Sequence, residues 1–255
     1  MSQSTSTGPD RTRRVAVVTG GSGGIGRACA ERLGADGFAV VVHYAGNPQR
    51  AEEVARAVVA AGGLATTAQA DVAAEDQVAA VFTAAESEFG GVDVVVNTAG
   101  IMRLAPLAQA DLKEGGEVDG MVRTNLRGTL VVSAEALRRL RDGGALVNVS
   151  TSVTRLALPT YAAYVATKGA VEAMTPILAK EVAGRDVTVN TVAPGPTATP
   201  LFLDGKDEET IARMASMNPM GRLGEPADIA EVVAFLAGPG RWVNGQVVFA
   251  NGGAA

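Results

Sequence analysis

The sequence predicts one doubly wound α/β domain, a parallel sheet with helices on both faces. Three observations lead there. Short β-branched runs alternate with longer helical stretches from residue 14 to residue 253, the pattern of strand-helix-strand crossovers. The runs are continuously apolar, as strands buried on both faces are. A glycine-rich turn joins the first run to the first helical stretch, where a dinucleotide fold needs it.

The elements follow in order. "RVAVVT" is the first strand, and helix 24–34 opens from the glycine-rich turn behind it. "FAVVVHY" and helix 48–61 come next, then "ATTAQAD" with helix 75–90 and "VDVVVNTAG" with helix 118–141. "ALVNVST" leads to helix 162–184, "VTVNTVAPG" to helix 226–237, and "QVVFANG" closes the set. No linker or repeat interrupts residues 14–253, so residues 14–255 are expected as a single catalytic domain behind a loose tail at 1–13. One segment, 199–226, is too long for an ordinary αβ connection. Insertions of this size are functional lids or disordered segments; Leu201, Phe202, Leu203, Met214, Met217 and Met220 are read either as the apolar face of a mobile lid or as ordinary core.

Composition excludes several functions. Of 255 residues 47% are hydrophobic and 19% charged, which is globular rather than disordered. A net charge of -5 argues against a nucleic-acid partner. No apolar run reaches the roughly 20 residues of a membrane span. With no apolar leader at the start, a cytoplasmic location is expected. The single cysteine, Cys29, cannot form an internal disulfide, and it sits in a helical stretch with a packing role. One histidine, His43, and one cysteine do not make a typical zinc site, so no metal is expected. They also leave little room for a serine or cysteine protease-like mechanism.

The turn "TGGSGGIG" runs from Thr19 to Gly26 and holds Gly20, Ser22, Gly24, Ile25 and Gly26. Such a turn lets backbone N–H groups approach a pyrophosphate at a helix N-terminus. A dinucleotide site that prefers NAD carries an acid about 20 residues on, at the ribose 2′-hydroxyl. Here the second strand ends "VVVHYAGNPQR", and no carboxylate occurs from Val40 through Arg50. Tyr44, Gly46, Asn47 and the cation of Arg27 or Arg50 are then available to a 2′-phosphate, so NADP(H) is preferred over NAD(H). His43 is read as a strand-end residue near the adenosine.

In "YAAYVATKGA", Lys168 lies four residues beyond Tyr164, so phenol and ammonium share a helix face. Four beyond Tyr161 is Val165, which offers no charge. Tyr164 is therefore the acid/base candidate and Tyr161 a packing or pocket-wall residue. A lysine charge ~5 Å away at an effective dielectric of ~20 contributes roughly 3 kcal/mol, which predicts a lowered tyrosine pKa before desolvation opposes it.

The motifs "TGGSGGIG", "ADV", "NTAG", "TNLRG", "YVATK" and "APGPTAT" occur in fixed order over roughly residues 14–253. The chain so resembles the short-chain dehydrogenase/reductase family, in particular NADP-dependent ketoreductases similar to β-ketoacyl carrier-protein reductases. The resemblance implies a seven-stranded Rossmann fold and hydride transfer between NADP(H) and a carbonyl or secondary alcohol. It implies adenine contacts for Asp71 and Val72, and a cofactor lining of Asn97, Ala99 and Gly100, with Thr98 where asparagine is more frequent. Pro194, Gly195, Thr197 and Thr199 would flank the nicotinamide, and Lys168 would hold its ribose. Asn125 would be the catalytic asparagine, holding a helix kink and a relay water. Family spacing assigns the carbonyl-polarising hydroxyl to Thr151, while the Ser-Val pair assigns it to Ser152, and both are carried forward with a lean to Ser152. The resemblance also implies a homo-oligomer, tetramer or dimer, through the last strand, with Trp242 in an interface or the core. A carrier-protein substrate would need a basic patch, for which Arg103, Arg123, Arg127 and Arg155 are candidates. The alternatives are an NADP-binding regulatory protein, or an epimerase or dehydratase on the same scaffold.

Overall fold

The computed structural model describes residues 13–255. The expected tail at 1–13 lies, apart from Arg13, outside the described residues. Seven strands form one sheet: β1 (Val15–Thr19), β2 (Ala39–Tyr44), β3 (Leu64–Gln69), β4 (Val92–Asn97), β5 (Leu140–Val149), β6 (Thr188–Pro194) and β7 (Val247–Ala250). Their order is β3-β2-β1-β4-β5-β6-β7, and every neighbouring pair is parallel. The chain builds outward from β1 to β3, then crosses to β4 on the other side of β1. That reversal opens a crevice at the carboxyl ends of β1 and β4, where open α/β sheets bind ligands.

Alternation along β1 explains both layers. Ala16 and Val18 pack with α1 (Gly24–Ala35), α2 (Pro48–Ala60) and α10 (Pro226–Ala237). Val15 and Val17 pack on the opposite face with α3 (Glu75–Phe89), α5 (Gly128–Arg139) and the end of α7 (Ala162–Glu181). Each fully buried valine or leucine contributes about 1.5–3 kcal/mol, so both layers need the unbroken apolar runs seen in the sequence. The edge strands β3 and β7 are only half-buried. Cys29 lies in the first layer, fully buried, and burial pushes its thiol up to about 12. Among the described residues no helix is long and apolar enough to cross a membrane.

Two stretches differ from expectation. The helix expected at 118–141 is α4 (Glu117–Met121), a π-helical turn (Val122–Arg127) and α5, with β5 starting directly at Leu140. The Thr129 hydroxyl donates to the Asn125 carbonyl at 2.6 Å within this widened turn, a side-chain insertion of the kind that disturbs the regular ladder. The 199–226 segment holds α8 (Pro200–Leu203) and α9 (Glu208–Ser216). Thr199 caps α8 by accepting from the Phe202 N–H at 3.2 Å, and Asp207 caps α9 by accepting from the Thr210 N–H at 2.8 Å. A further short helix, α6 (Val153–Leu156), follows β5.

Candidate active site

The glycine-rich turn is shaped for close approach. Gly20 has φ +64°, a left-handed conformation that favours glycine. A Cβ on Gly26 would fall 2.3 Å from the Gly20 carbonyl oxygen and 2.5 Å from Thr98 Oγ1, so this position excludes any side chain. The Gly20 N–H donates to His43 Nδ1 at 3.1 Å, which assigns the proton to Nε2, and Nε2 donates to the Ala70 carbonyl at 3.0 Å. His43 thus ties the turn to the end of β3. It is 2% exposed, and burial lowers its pKa, which keeps the imidazole in this neutral form.

Gly20, Gly24, Ile25, Gly26, Ala99, Gly100, Pro194, Gly195, Thr197 and Thr199 all line one cleft with Tyr164 and Lys168. Arg50 lines it too, whereas Arg27 is paired with Glu31 at the surface (2.8 Å). Asn47 caps α2 by accepting from the Arg50 N–H at 3.0 Å. Ser22, Tyr44, Gly46, Asn47, Asp71 and Val72 lie outside the cleft lining, in the first turn and at or beyond the ends of β2 and β3. Asp71 is bonded to Arg123, and Val72 is buried.

Asn97 corrects one expectation. Its side chain does not line the cleft but is buried between strands: Oδ1 accepts from Thr19 Oγ1 at 2.7 Å and Nδ2 donates to Asn148 Oδ1 at 3.0 Å. The reason is register: Thr19, Asn97 and Asn148 are directly opposite one another on β1, β4 and β5, so their side chains lie side by side on one face and bond to each other. Thr98 does the work at the cleft edge, where its hydroxyl donates to the Thr19 carbonyl at 2.5 Å.

Asn125 sits fully buried in the π-helical turn. It clamps Ile101, accepting from its N–H at 2.9 Å and donating to its carbonyl at 2.8 Å. A methyl group added to Gly100 would fall 3.2 Å from Asn125 Oδ1 and 3.5 Å from Lys168 Nζ, so these three residues meet. One helix face of α7 then presents Tyr164 and Lys168, both buried. Tyr161 packs edge-on against Tyr164 with ring centroids 6.5 Å apart and lines the same cleft.

The two candidate hydroxyls separate cleanly. Ser150 and Ser152 donate their N–H groups to the Val192 and Pro194 carbonyls of β6, both at 2.8 Å, so strand pairing continues past Val149 without a bulge. Thr151 therefore faces opposite to Ser152. Thr151 lines the cleft. Ser152 is fully buried, donates its hydroxyl to the Ala193 carbonyl at 3.1 Å, and does not line it. The lean to Ser152 is corrected on that geometry.

A carboxylate that the sequence reading passed over supports this segment. Glu172 Oε1 accepts from Ser150 Oγ at 2.7 Å and from Thr154 Oγ1 at 2.9 Å, gripping the chain on both sides of Thr151. The signal was available: Tyr164, Lys168 and Glu172 repeat at a spacing of four on one helix.

The electrostatics also correct an expectation. Burial pushes the Tyr164 phenol up to about 12, with the Tyr161 ring acting in the same direction. Burial likewise brings Lys168 down to about 8. Lys168 Nζ donates to the Val149 carbonyl at 2.8 Å, and desolvation outweighs any lowering of the phenol by its charge. The protein by itself holds Tyr164 as a neutral acid.

The family profile described as Enoyl-(Acyl carrier protein) reductase matches residues 20–255. A short-chain type dehydrogenase/reductase of Picea abies is 43% identical over 251 residues, covering 94% of this chain and 92% of that protein. An NADPH-dependent aldehyde reductase-like protein, chloroplastic, of Arabidopsis thaliana is 41% identical over 255 residues, covering 94% and 93%. The crystal structure of the angucycline C-6 ketoreductase LanV with bound NADP superposes with a TM-score of 0.87 at 35% identity, covering 94% of this chain and 95% of that one. These matches run through the glycine-rich turn, the tyrosine–lysine helix and the final strand alike, and the chain belongs to the short-chain dehydrogenase/reductase family.

Proposed function

We propose that this protein reduces the carbonyl group of a small molecule with NADPH, and that Tyr164 donates the proton. The observation that carries this reading is the shared cleft: Tyr164, Lys168 and Thr151 face the same space as the glycine-rich turn. The turn fits a dinucleotide because Gly20 and Gly26 let it pack tightly against Ala99 and Thr98, while Gly23 borders open space at the α1 N-terminus. Arg50 in the cleft and the acid-free end of β2 fit a 2′-phosphate. The Arabidopsis relative is named as NADPH-dependent and the ketoreductase structure contains NADP, which agrees.

Each side chain has a role in this reading. When bound, the reduced nicotinamide supplies a hydride to the carbonyl carbon. Thr151 donates its hydroxyl to the carbonyl oxygen; among the described residues that hydroxyl accepts from the Val153 N–H at 3.3 Å and donates to nothing. Tyr164 delivers its proton to the oxygen as the C=O electron pair moves there. Lys168 stabilises the resulting phenolate and holds the ribose. Asn125 fixes the Ile101 backbone, and its widened turn would hold the water through which the Tyr164 proton is resupplied from solvent. Ser22, Tyr44, Gly46, Asn47, Asp71 and Val72 serve the adenosine half, while Pro194, Gly195, Thr197 and Thr199 flank the nicotinamide.

Leu201, Phe202 and Met214 line the cleft from the 199–226 segment, which supports its role as a lid. Homo-oligomerisation, as a tetramer or dimer, is supported by fully exposed Trp242 and half-exposed Phe235. A cytoplasmic location is consistent with a lone, buried cysteine.

The hydroxyl assignment has a direct test in steady-state kinetics. Thr151→Val should lower kcat by about 10²–10³-fold, the effect of losing one oxyanion donor, whereas Ser152→Ala should leave most of it. The opposite ranking would return the role to Ser152.

A further inference from the structure

Charge is distributed unevenly in the cleft. Among the described residues, the only charged ones lining it are Arg50 and Lys168. Arg50 belongs to the adenosine end, and Lys168 is buried with its ammonium turned to the Val149 carbonyl. The remaining wall around Tyr164 and Thr151 is apolar, formed by Met102, Leu156, Leu158, Tyr161, Phe202 and Met214. No carboxylate lines the cleft either.

The cations named for a carrier-protein patch, and Lys206 beside the cleft, have partners within this chain. Arg123 is paired with Asp71, Arg127 with Glu75 at 3.1 Å, and Arg103 with Glu117 at 3.6 Å. Arg155 stacks over the Phe249 ring at 5.1 Å. Lys206 stacks over the Phe202 ring at 4.6 Å and donates to the Phe202 carbonyl. Each of the four arginines named for a carrier-protein patch has a partner within this chain, a carboxylate for three of them and an aromatic ring for Arg155.

From this we infer the substrate class: a free, uncharged aldehyde or ketone with apolar substituents, rather than an anionic carbonyl compound or a thioester borne on an acidic carrier protein. The inference rests on the carbonyl-reductase reading. An anionic group entering this wall would lose water and gain no partner, a costly transfer, whereas an apolar group gains by leaving water. Recognition by apolar contact alone also predicts tolerance, since one methylene in such a pocket discriminates only about 10–200-fold.

The test uses one carbonyl with and without a distant charge: 6-oxohexanoate and its methyl ester, each assayed with NADPH. The remote carboxylate leaves the reacting aldehyde chemically equivalent. The ester should show kcat/KM at least about 100-fold higher, and Met214→Lys, which places a cation in the wall, should narrow that ratio about tenfold or more. A β-ketoacyl group on N-acetylcysteamine should be reduced at least as well as the same group on acyl carrier protein. An acid reduced as well as its ester, or a clear gain from the carrier protein, would overturn the inference while leaving carbonyl reduction intact. Absence of turnover with every neutral aldehyde and ketone would instead remove the carbonyl-reductase reading, and the inference with it.

Discussion

Tyr164→Phe should abolish turnover to within about 10²–10⁴-fold of the starting activity, the usual contribution of a positioned general acid, while NADPH binding survives. The phenol is the group at risk because no substitute is close. His43 is consumed by Gly20 and Ala70, and the cleft is lined by no carboxylate, cysteine or histidine. Tyr161 cannot take over. It sits edge-on to Tyr164, and its neighbour one turn along the helix is Val165 rather than a cation. Tyr161→Phe should therefore retain most activity and alter KM for bulky substrates more than kcat. NADPH fluorescence titration separates the two effects, since a loss of cofactor affinity in Tyr164→Phe would point to a structural role instead.

The second large effect joins activity to stability. Lys168 is buried, and its pKa is brought down from 10.5 to about 8 by desolvation. The folded protein then binds fewer protons than the unfolded chain between roughly pH 8 and pH 10, so stability rises with pH through that window. Below pH 8 the fold carries the full cost of a buried ammonium, about 3 kcal/mol at 1.4 kcal/mol per pH unit. Lys168→Met should remove both the cost and the pH dependence. The cofactor-free variant is expected to be more stable than the starting protein at pH 7, by up to about that amount, with the two converging near pH 10. The same change should lower kcat, because the proposed mechanism loses the cation that holds the ribose and meets the developing phenolate. Urea unfolding at pH 7 and pH 9.5 reads the first effect. A variant that is less stable at pH 7 would show that the ammonium is stabilised rather than merely tolerated.

The fold was legible because parallel strands buried on both faces must be apolar without interruption. "RVAVVT" and "VDVVVNTAG" carry that signature openly. The cleft was legible where spacing fixes geometry, as for Tyr164 and Lys168 on one helix face. Other features have no such signature. A π-helical turn keeps nearly the hydrophobic period of an α-helix, so 118–141 read as one helix and the break at Asn125 stayed hidden. Asn97 occupies a cofactor motif, yet its register partners Thr19 and Asn148 take up its side chain. Thr151 and Ser152 differ by one residue, and only the pairing of Ser150 and Ser152 with β6 shows which faces the cleft. The sign of the Tyr164 shift has no signature in the spacing, because Lys168 turns to the Val149 carbonyl and burial dominates. Spacing puts Glu172 on the Tyr164–Lys168 helix face, but its partners Ser150 and Thr154 lie at the end of β5 and in α6, a pairing that spacing does not reveal.

The most direct test is a parallel assay of NADPH and NADH oxidation with a neutral aldehyde, quantifying the alcohol formed. The predicted result is substrate-dependent NADPH oxidation, one alcohol per NADPH consumed, and a clearly weaker reaction with NADH. Turnover without net NADPH oxidation, or a preference for NADH, would contradict it.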